Sequence, residues 1–301
     1  MENLKKKMKK IDLFFKWFLF KLTNRFYIYQ WQILFSFDRN HIDKNDFKNF
    51  YKIVPPKDRF WADPFFIEND GRFFIFFEEM LFSEDKGKIS CVEVFKDGTH
   101  SNPKLVISGD YHFSYPFILK INNKFLMIPE TLENHTIQIY ECNIFPYNWR
   151  LNKTIFKNIS AVDPTVFFYQ NKYWLFANLK SKKTGSTWDE LNLFFTDNLF
   201  NDSWKSHPSN PIVNDIRFSR PAGNIFINKN KIFRPSQNCS KHYGHSITIR
   251  EIIKLNEYEY EEITYNSFLP DWNKNVISIH TINKSDNFCV IDAKYKRSRF
   301  I

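Results

Sequence analysis

Glycine is scarce in this chain, with 7 residues in 301. Neither the Walker pattern nor a dinucleotide fingerprint occurs, which argues against nucleotide binding through a glycine cradle. Cysteine is scarce as well: Cys91, Cys142, Cys239 and Cys289 lie far apart and never form a C-x-x-C pair. That spacing supports neither a zinc cage nor a disulfide framework, and reads as small core side chains in a reducing compartment. No uncharged run is long enough to cross a bilayer, and no small-residue cleavage site follows the first apolar stretch. The sequence therefore predicts a chain that neither spans a membrane nor is exported. Basic residues interleaved with stacking aromatics are lacking, and so is any nucleic-acid-binding motif, so nucleic acid is not an expected partner.

What is abundant is aromatic: 35 Phe, and 19% Phe, Trp and Tyr in a chain that is 43% hydrophobic. Such a composition excludes disorder over most of the length and can fill a large core. The net charge is +10, and much of it sits at the N-terminus. Lys5, Lys6, Lys7, Lys9 and Lys10 precede Ile11, Phe14, Phe15, Phe18, Leu19, Leu22 and Phe26, which recur at helical intervals. The pattern predicts a basic amphipathic helical segment over 1–36. Its rings suit the acyl boundary of an anionic membrane surface and its lysines the headgroups, while packing on the rest of the protein would use the same pattern.

Residues 37–301 are organised by a repeat. Segments 61–79, 114–130, 162–178, 219–237 and 278–295 each comprise a polar lead-in, an apolar strand, a turn and a second aromatic strand. Their equivalent lead-in residues are Asp63, Tyr115, Asp163, Arg220 and His280, spaced 52, 48, 57 and 60 residues apart. A period near fifty made of strands predicts an all-β fold, a five-bladed β-propeller following the N-terminal helix. Asn69-Asp70-Gly71, Asn122-Asn123, Gln170-Asn171 and Asn228-Lys229-Asn230 sit where tight hairpins need positive φ. Trp149 and Trp204, each four residues after a Phe, read as plugs between blades. His41 to Val54 is the segment expected to close the ring with the C-terminus.

Inner strands of a propeller run along its axis, so the lead-in positions should converge at one end of the channel. The ends of the following strands add Glu78, Glu79, Glu130, Asn178 and Gln237. A scaffold that repeats while its polar tips diverge is what a site grafted on a symmetric fold looks like. Asp63, Asp163 and Glu130 are the expected catalytic carboxyls, since paired carboxylates can activate a nucleophile and assist a leaving oxygen at an acetal. Trp61, Glu79, Tyr115, Asn178 and Gln237 are assigned to substrate binding, with Arg220, Arg234 and His280 clamping a negatively charged ligand. No metal-ligand set is assigned from spacing.

The succession of WADP, SYPF, VDPT and a fourth polar lead-in resembles the five-bladed propellers of glycoside hydrolase family 43. In that resemblance Asp63 matches the base and Asp163 the residue that tunes the acid and orients substrate. RFWADPF, FFEE, MIPET, VDPTVF, SRPAGNIF and FRPSQNCS more closely resemble the N-terminal propeller of plant glucosamine inositolphosphorylceramide transferases and free-standing bacterial relatives, from about residue 50 to the C-terminus. The family 43 resemblance implies a Glu acid near Arg220-Pro221-Ala222-Gly223, where this chain has no carboxylate. It also implies a divalent cation, calcium, in the axial channel near His280, although no dedicated calcium loop is present. Three functions follow as expectations. The first is glycosyl transfer for surface-glycan assembly, in the cytoplasm at the inner membrane face, on a sugar phosphate or nucleotide sugar. The second is a family 43-like hydrolase, and the third a glycan-binding propeller without chemistry.

Overall fold

A computed structural model describes residues 25–37 and 46–300; of the helical segment expected over 1–36, residues 1–24 lie outside them. Five antiparallel sheets succeed one another along the chain. Blade one comprises strands Arg59–Asn69, Arg72–Leu81, Lys88–Val94 and Lys104–Ile107, and blade two runs from Ser114 to Lys157. Blade three runs from Ala161 to Ser206, and blade four from Phe226 to Phe268. The hairpins form as the turn residues require: φ is positive at Asp70, Asn122, Asn123, Gln170, Asn171, Lys229 and Asn230, where Asn and Asp tolerate the left-handed region.

Blade five joins the two ends of the chain. Strand Cys289–Ser298 pairs along its whole length with Tyr27–Ser36, from Tyr27 opposite Ser298 to Ser36 opposite Cys289. This corrects two expectations. Residues 27–36 belong to the propeller and not to a helical segment, and they close the ring in place of His41–Val54, of which Tyr51–Ile53 forms only the outer strand against Ile33–Phe35. The reason lies in the side chains: from Tyr27 the helical spacing gives way to aromatic and β-branched residues buried on both faces. Gln30 latches the joint, its amide donating to the carbonyls of Pro56 (2.7 Å) and Arg59 (2.6 Å) while Arg297 donates to its oxygen (2.8 Å).

The core is divided among the blade interfaces. One large cluster fills the space between blades one, two and three, and smaller ones lie between blades three and four, four and five, and five and one. Trp149 packs edge-on against Phe76 (5.5 Å), and Trp204 lies against Phe156 (5.9 Å). Both are plugs between blades.

Candidate active site

The first strands of blades one, two and three each carry a β-bulge at the lead-in position, between Ala62 and Phe65, Ser114 and Phe117, and Val162 and Thr165. Asp63, Tyr115 and Asp163 occupy these bulges with φ of 50°, 43° and 53°. A non-glycine residue in this region is strained by about 1–2 kcal/mol, and bulges commonly re-aim a side chain beside a functional site. Here they turn both aspartates toward the axis.

Below the aspartates the channel is closed. Tyr115 is fully buried; its hydroxyl meets Thr165 Oγ1 of blade three (2.9 Å) and accepts the Gly223 N–H at the start of blade four (2.8 Å). Asn283 of blade five donates to the Pro64 carbonyl (2.7 Å) and accepts the Asn224 N–H (2.6 Å). Gly223, at φ 128°, lies so close to blade five that a Cβ there would stand 2.0 Å from the Ile282 carbonyl oxygen. Tyr115 is thus a bolt across the floor, which withdraws its assignment to substrate binding.

Two charged clusters rest on that floor. In the first, Asp292 accepts the backbone N–H groups of Asp63, His280 and Thr281, each at 3.0 Å, and meets His280 Nδ1 in a short ion pair. His280 Nε2 faces Asp63 Oδ1 at 3.7 Å, and Thr281 donates its hydroxyl to the same oxygen (2.7 Å). Burial pushes the Asp63 carboxyl up to about 7: His280 pulls against it, while Glu78, Asp163 and Asp292 add to it. Burial alone would discharge His280, yet Asp292 and then Asp63 hold it at about 9. The imidazole stacks on Trp31, with centroids 4.0 Å apart and planes 10° apart.

The second cluster spans blades two, three and four. Arg220 Nε donates to Asp163 Oδ2 (2.6 Å), Nη2 approaches Asp163 Oδ1 (3.4 Å) and Glu130 Oε2 (3.8 Å), and Nη1 has no hydrogen-bond partner among the described residues. Gln237 donates to Asp163 Oδ2 (3.2 Å) and to the Pro221 carbonyl (3.0 Å). Glu130 Oε2 accepts the Asp163 N–H (3.1 Å), repeating what Asp292 does for Asp63. Burial and the neighbouring Asp163 raise the Glu130 carboxyl well above its ordinary range, although Arg220 opposes them. Tyr243 joins the clusters, its ring under the Arg220 guanidinium (4.9 Å) and at the edge of His280 (5.2 Å). Its loop is pinned by Gly244, whose carbonyl accepts the Ile279 N–H (2.9 Å).

Asp63, Asp163, Glu130, Arg220, Gln237 and His280 are therefore brought together, and four other assignments are corrected. Trp61 is packed between blades five and one against Phe77 (5.2 Å). Glu79 pairs with Arg59 at the rim (2.6 Å); Glu78, which the register sets opposite Ala62, is the buried member, with its carboxylate 3.3 Å from His112 Nε2. Asn178 is buried and donates to the carbonyls of Glu190 (3.2 Å) and Thr187 (3.0 Å), holding the blade-three loop. Arg234 is only 1% exposed and is held by Glu262 of blade four (2.7 Å) and the Phe218 carbonyl (2.8 Å), with Nη1 left without a hydrogen-bond partner among the described residues, so it is not brought to the two charged clusters. Asp292, Thr281, Trp31 and Tyr243 went unassigned from sequence. Asp292 could have been found as the fifth-blade counterpart of Glu78, Glu130, Asn178 and Gln237.

Ligand atoms of Asp63, His280 and Asp292 lie within 4.8 Å of one another. Calcium takes six to eight oxygens at about 2.3–2.6 Å, whereas here both Asp292 oxygens and Asp63 Oδ1 already accept hydrogen bonds from the chain. The trio does not fit direct coordination of a calcium ion.

The family model of glucosamine inositolphosphorylceramide transferase 1, N-terminal, matches residues 53–286. The chain belongs to this family. It is 29% identical over 210 residues to glucosamine inositolphosphorylceramide transferase 1 of Oryza sativa subsp. japonica, covering 69% of this chain and 28% of that one. The Arabidopsis thaliana transferase of the same name is 29% identical over 211 residues, covering 68% and 27%. The chain thus corresponds to little more than a quarter of these family members. Among solved structures, a family 117 glycoside hydrolase from Zobellia galactanivorans superposes with a TM-score of 0.55 at 11% identity, covering 89% of this chain and 90% of that one. The catalytic domain of the Coprinopsis cinerea family 62 α-L-arabinofuranosidase gives 0.57 at 11% identity, covering 79% and 92%. Likeness at this identity shows that this chain shares the propeller fold of these hydrolases.

Proposed function

We propose that this carbohydrate-active protein transfers a sugar from an anionic donor to an acceptor hydroxyl where its two charged clusters meet. The observation that carries the reading is the placement of Asp63, a buried carboxyl facing the His280 imidazole at 3.7 Å and the Thr281 hydroxyl at 2.7 Å, which burial pushes up to about 7. A general base works best when its pKa lies near the working pH. In the proposed step Asp63 takes the acceptor proton, the acceptor oxygen bonds to the anomeric carbon, and the bond from that carbon to the donor phosphate breaks. Arg220 offers Nη1 to the departing phosphate, and Glu130, whose carboxyl burial and Asp163 raise, stands beside the guanidinium (3.8 Å). Hydrolysis of the family 43 type is less well supported, because Arg220, bonded to Asp163, stands where a fourth-blade acid would be needed. The relatives' transferase names support a glycolipid acceptor, and the basic N-terminus supports work at the inner face of the cytoplasmic membrane.

A second reading, glycan binding without chemistry, is favoured by the near-complete burial of Asp63, Asp163 and Glu130. The two separate on Asp63→Asn. Purified protein is incubated with radiolabelled UDP-sugars and inositol phospholipid, and label in the lipid fraction is counted. Transfer should fall at least about a hundredfold, in line with the loss of a general base, while donor affinity stays within a few-fold. Donor binding without transfer by the unaltered protein supports the binding module, and equal transfer by the variant refutes the role of Asp63.

A further inference from the structure

The strand order fixes where the N-terminal segment leaves the propeller. Asp63 and Glu78 lie toward the end of blade one at which Arg59 pairs with Leu81, and the Tyr243 loop, which follows Asn238 opposite Ser246 and touches Arg220 and His280, lies at the same end. Tyr27 pairs with Ser298 and the Phe26 carbonyl accepts the Arg299 N–H (2.9 Å). Tyr27, Arg299, Lys57, Asp58, Phe82 and Ser83 line one rim cavity between blades five and one. The first 24 residues therefore join the fold on the face that carries the site. Residues 1–25 hold Lys5, Lys6, Lys7, Lys9, Lys10, Lys16, Lys21 and Arg25 against only Glu2 and Asp12, a net +6 of the chain's +10.

The rim around that junction is aromatic. Phe26 is 46% exposed, Phe82 46% and Phe300 73%. Phe26 and Phe300 are neighbours (6.2 Å), and Phe82 adjoins Phe60 (6.3 Å). Lys296 lies over the Tyr27 ring (4.2 Å), and Lys57 reaches across to the Arg299 carbonyl (2.9 Å). The rim's acids are partly neutralised, Asp58 by Arg59 (2.9 Å) and Glu84 by Lys88 (2.7 Å), while Asp85 stays exposed. Rings that can enter an acyl boundary, beside a lysine-rich segment, match the two needs of interfacial binding: apolar insertion and attraction to anionic headgroups.

We infer that the site-bearing rim between blades five and one docks on an anionic lipid bilayer through Phe26, Phe82 and Phe300, the net positive charge of the sequence preceding Phe26 adding attraction to the headgroups, so that the two charged clusters face the membrane. The docking itself is independent of the chemistry; only the meaning of the site's orientation rests on the sugar-transfer reading. Docked this way, the protein takes its acceptor from the membrane surface and its donor from the water.

The test uses the full chain and vesicles of phosphatidylcholine, with and without phosphatidylglycerol. Binding should require phosphatidylglycerol and weaken with salt. Phe26→Ser, Phe82→Ser and Phe300→Ser combined should weaken it by about a hundredfold, as expected for three partly inserted rings. Phe168→Ser with Ile227→Ser, on exposed residues near the opposite hairpins, should leave it unchanged. To read orientation directly, a fluorophore on Ser83→Cys should be quenched by lipid carrying a spin label, and one on Asn123→Cys should not. No binding to anionic vesicles, equal loss in both sets of variants, or quenching at residue 123 would each overturn the inference. Because donor affinity is measured without lipid, those outcomes leave the sugar-transfer reading standing, and failed transfer leaves the docking intact.

Discussion

Asp292→Asn tests the first charged cluster with a change of one atom. Asp292 is 0% exposed, accepts three backbone N–H groups and pairs with His280 Nδ1. Asparagine keeps the shape and one acceptor, but its NH2 must then face donors: the Asp63 N–H and the imidazole from the Oδ2 position, or the His280 and Thr281 N–H groups from the Oδ1 position. Removing one partner of a buried ion pair costs about 3–5 kcal/mol. At about 2 °C per kcal/mol for a domain of this size, the melting temperature should fall by about 6–10 °C. The pH dependence carries a second signature. His280 is raised from 6.5 to about 9 in the folded protein, so its contribution to stability is complete below pH 6.5 and is lost as the pH rises to about 9. Asp63, raised from 3.8 to about 7, changes stability in the same direction at lower pH. Urea unfolding followed by tryptophan fluorescence across that window should show unaltered protein losing stability from pH 6.5 to about 9. The variant should start lower and lose less. A variant with the same midpoint and the same slope would refute the ion pair.

Three further outcomes follow from the same contacts. Tyr115→Phe removes the hydroxyl that serves Thr165 and the Gly223 N–H and should destabilise by about 1–3 kcal/mol through the unsatisfied partners, measured by urea unfolding; an unchanged midpoint would contradict the closed floor. Deleting residues 1–36 removes the strand paired to Cys289–Ser298 and should abolish cooperative unfolding, whereas deleting 1–24 should preserve it. If transfer is catalysed as proposed, the pH–rate profile should rise near 7 and fall near 9, following the paired titration of Asp63 and His280; a profile flat through neutrality would count against Asp63 as base.

The parts of this molecule that are legible in sequence depend on local chemistry or on repetition. Asn-rich hairpins need positive φ wherever they occur, and the lead-in residues could be aligned because the scaffold repeats. Ring closure by Tyr27–Ser36 was not legible, since it pairs the two ends of the chain across most of its length and follows a stretch of helical spacing. Trp61 and Glu79 were misplaced for a different reason. The bulge between Ala62 and Phe65 adds a residue to one strand only, and a slip of one residue exchanges the two faces of a strand. Asp292 was hidden because the fifth repeat is the most degraded. Arg234 looked like a ligand clamp because its partner Glu262 lies on a strand outside the repeat.

The central claim is that sugar is bound where the two charged clusters meet. A crystal structure of the protein soaked with a UDP-sugar tests it most directly. The account predicts sugar density beside Asp63 and Tyr243, with phosphate near Arg220 Nη1. Density instead in the cleft between blades four and five, lined by Phe226, Tyr265 and Lys284, with the two charged clusters unchanged, would contradict it.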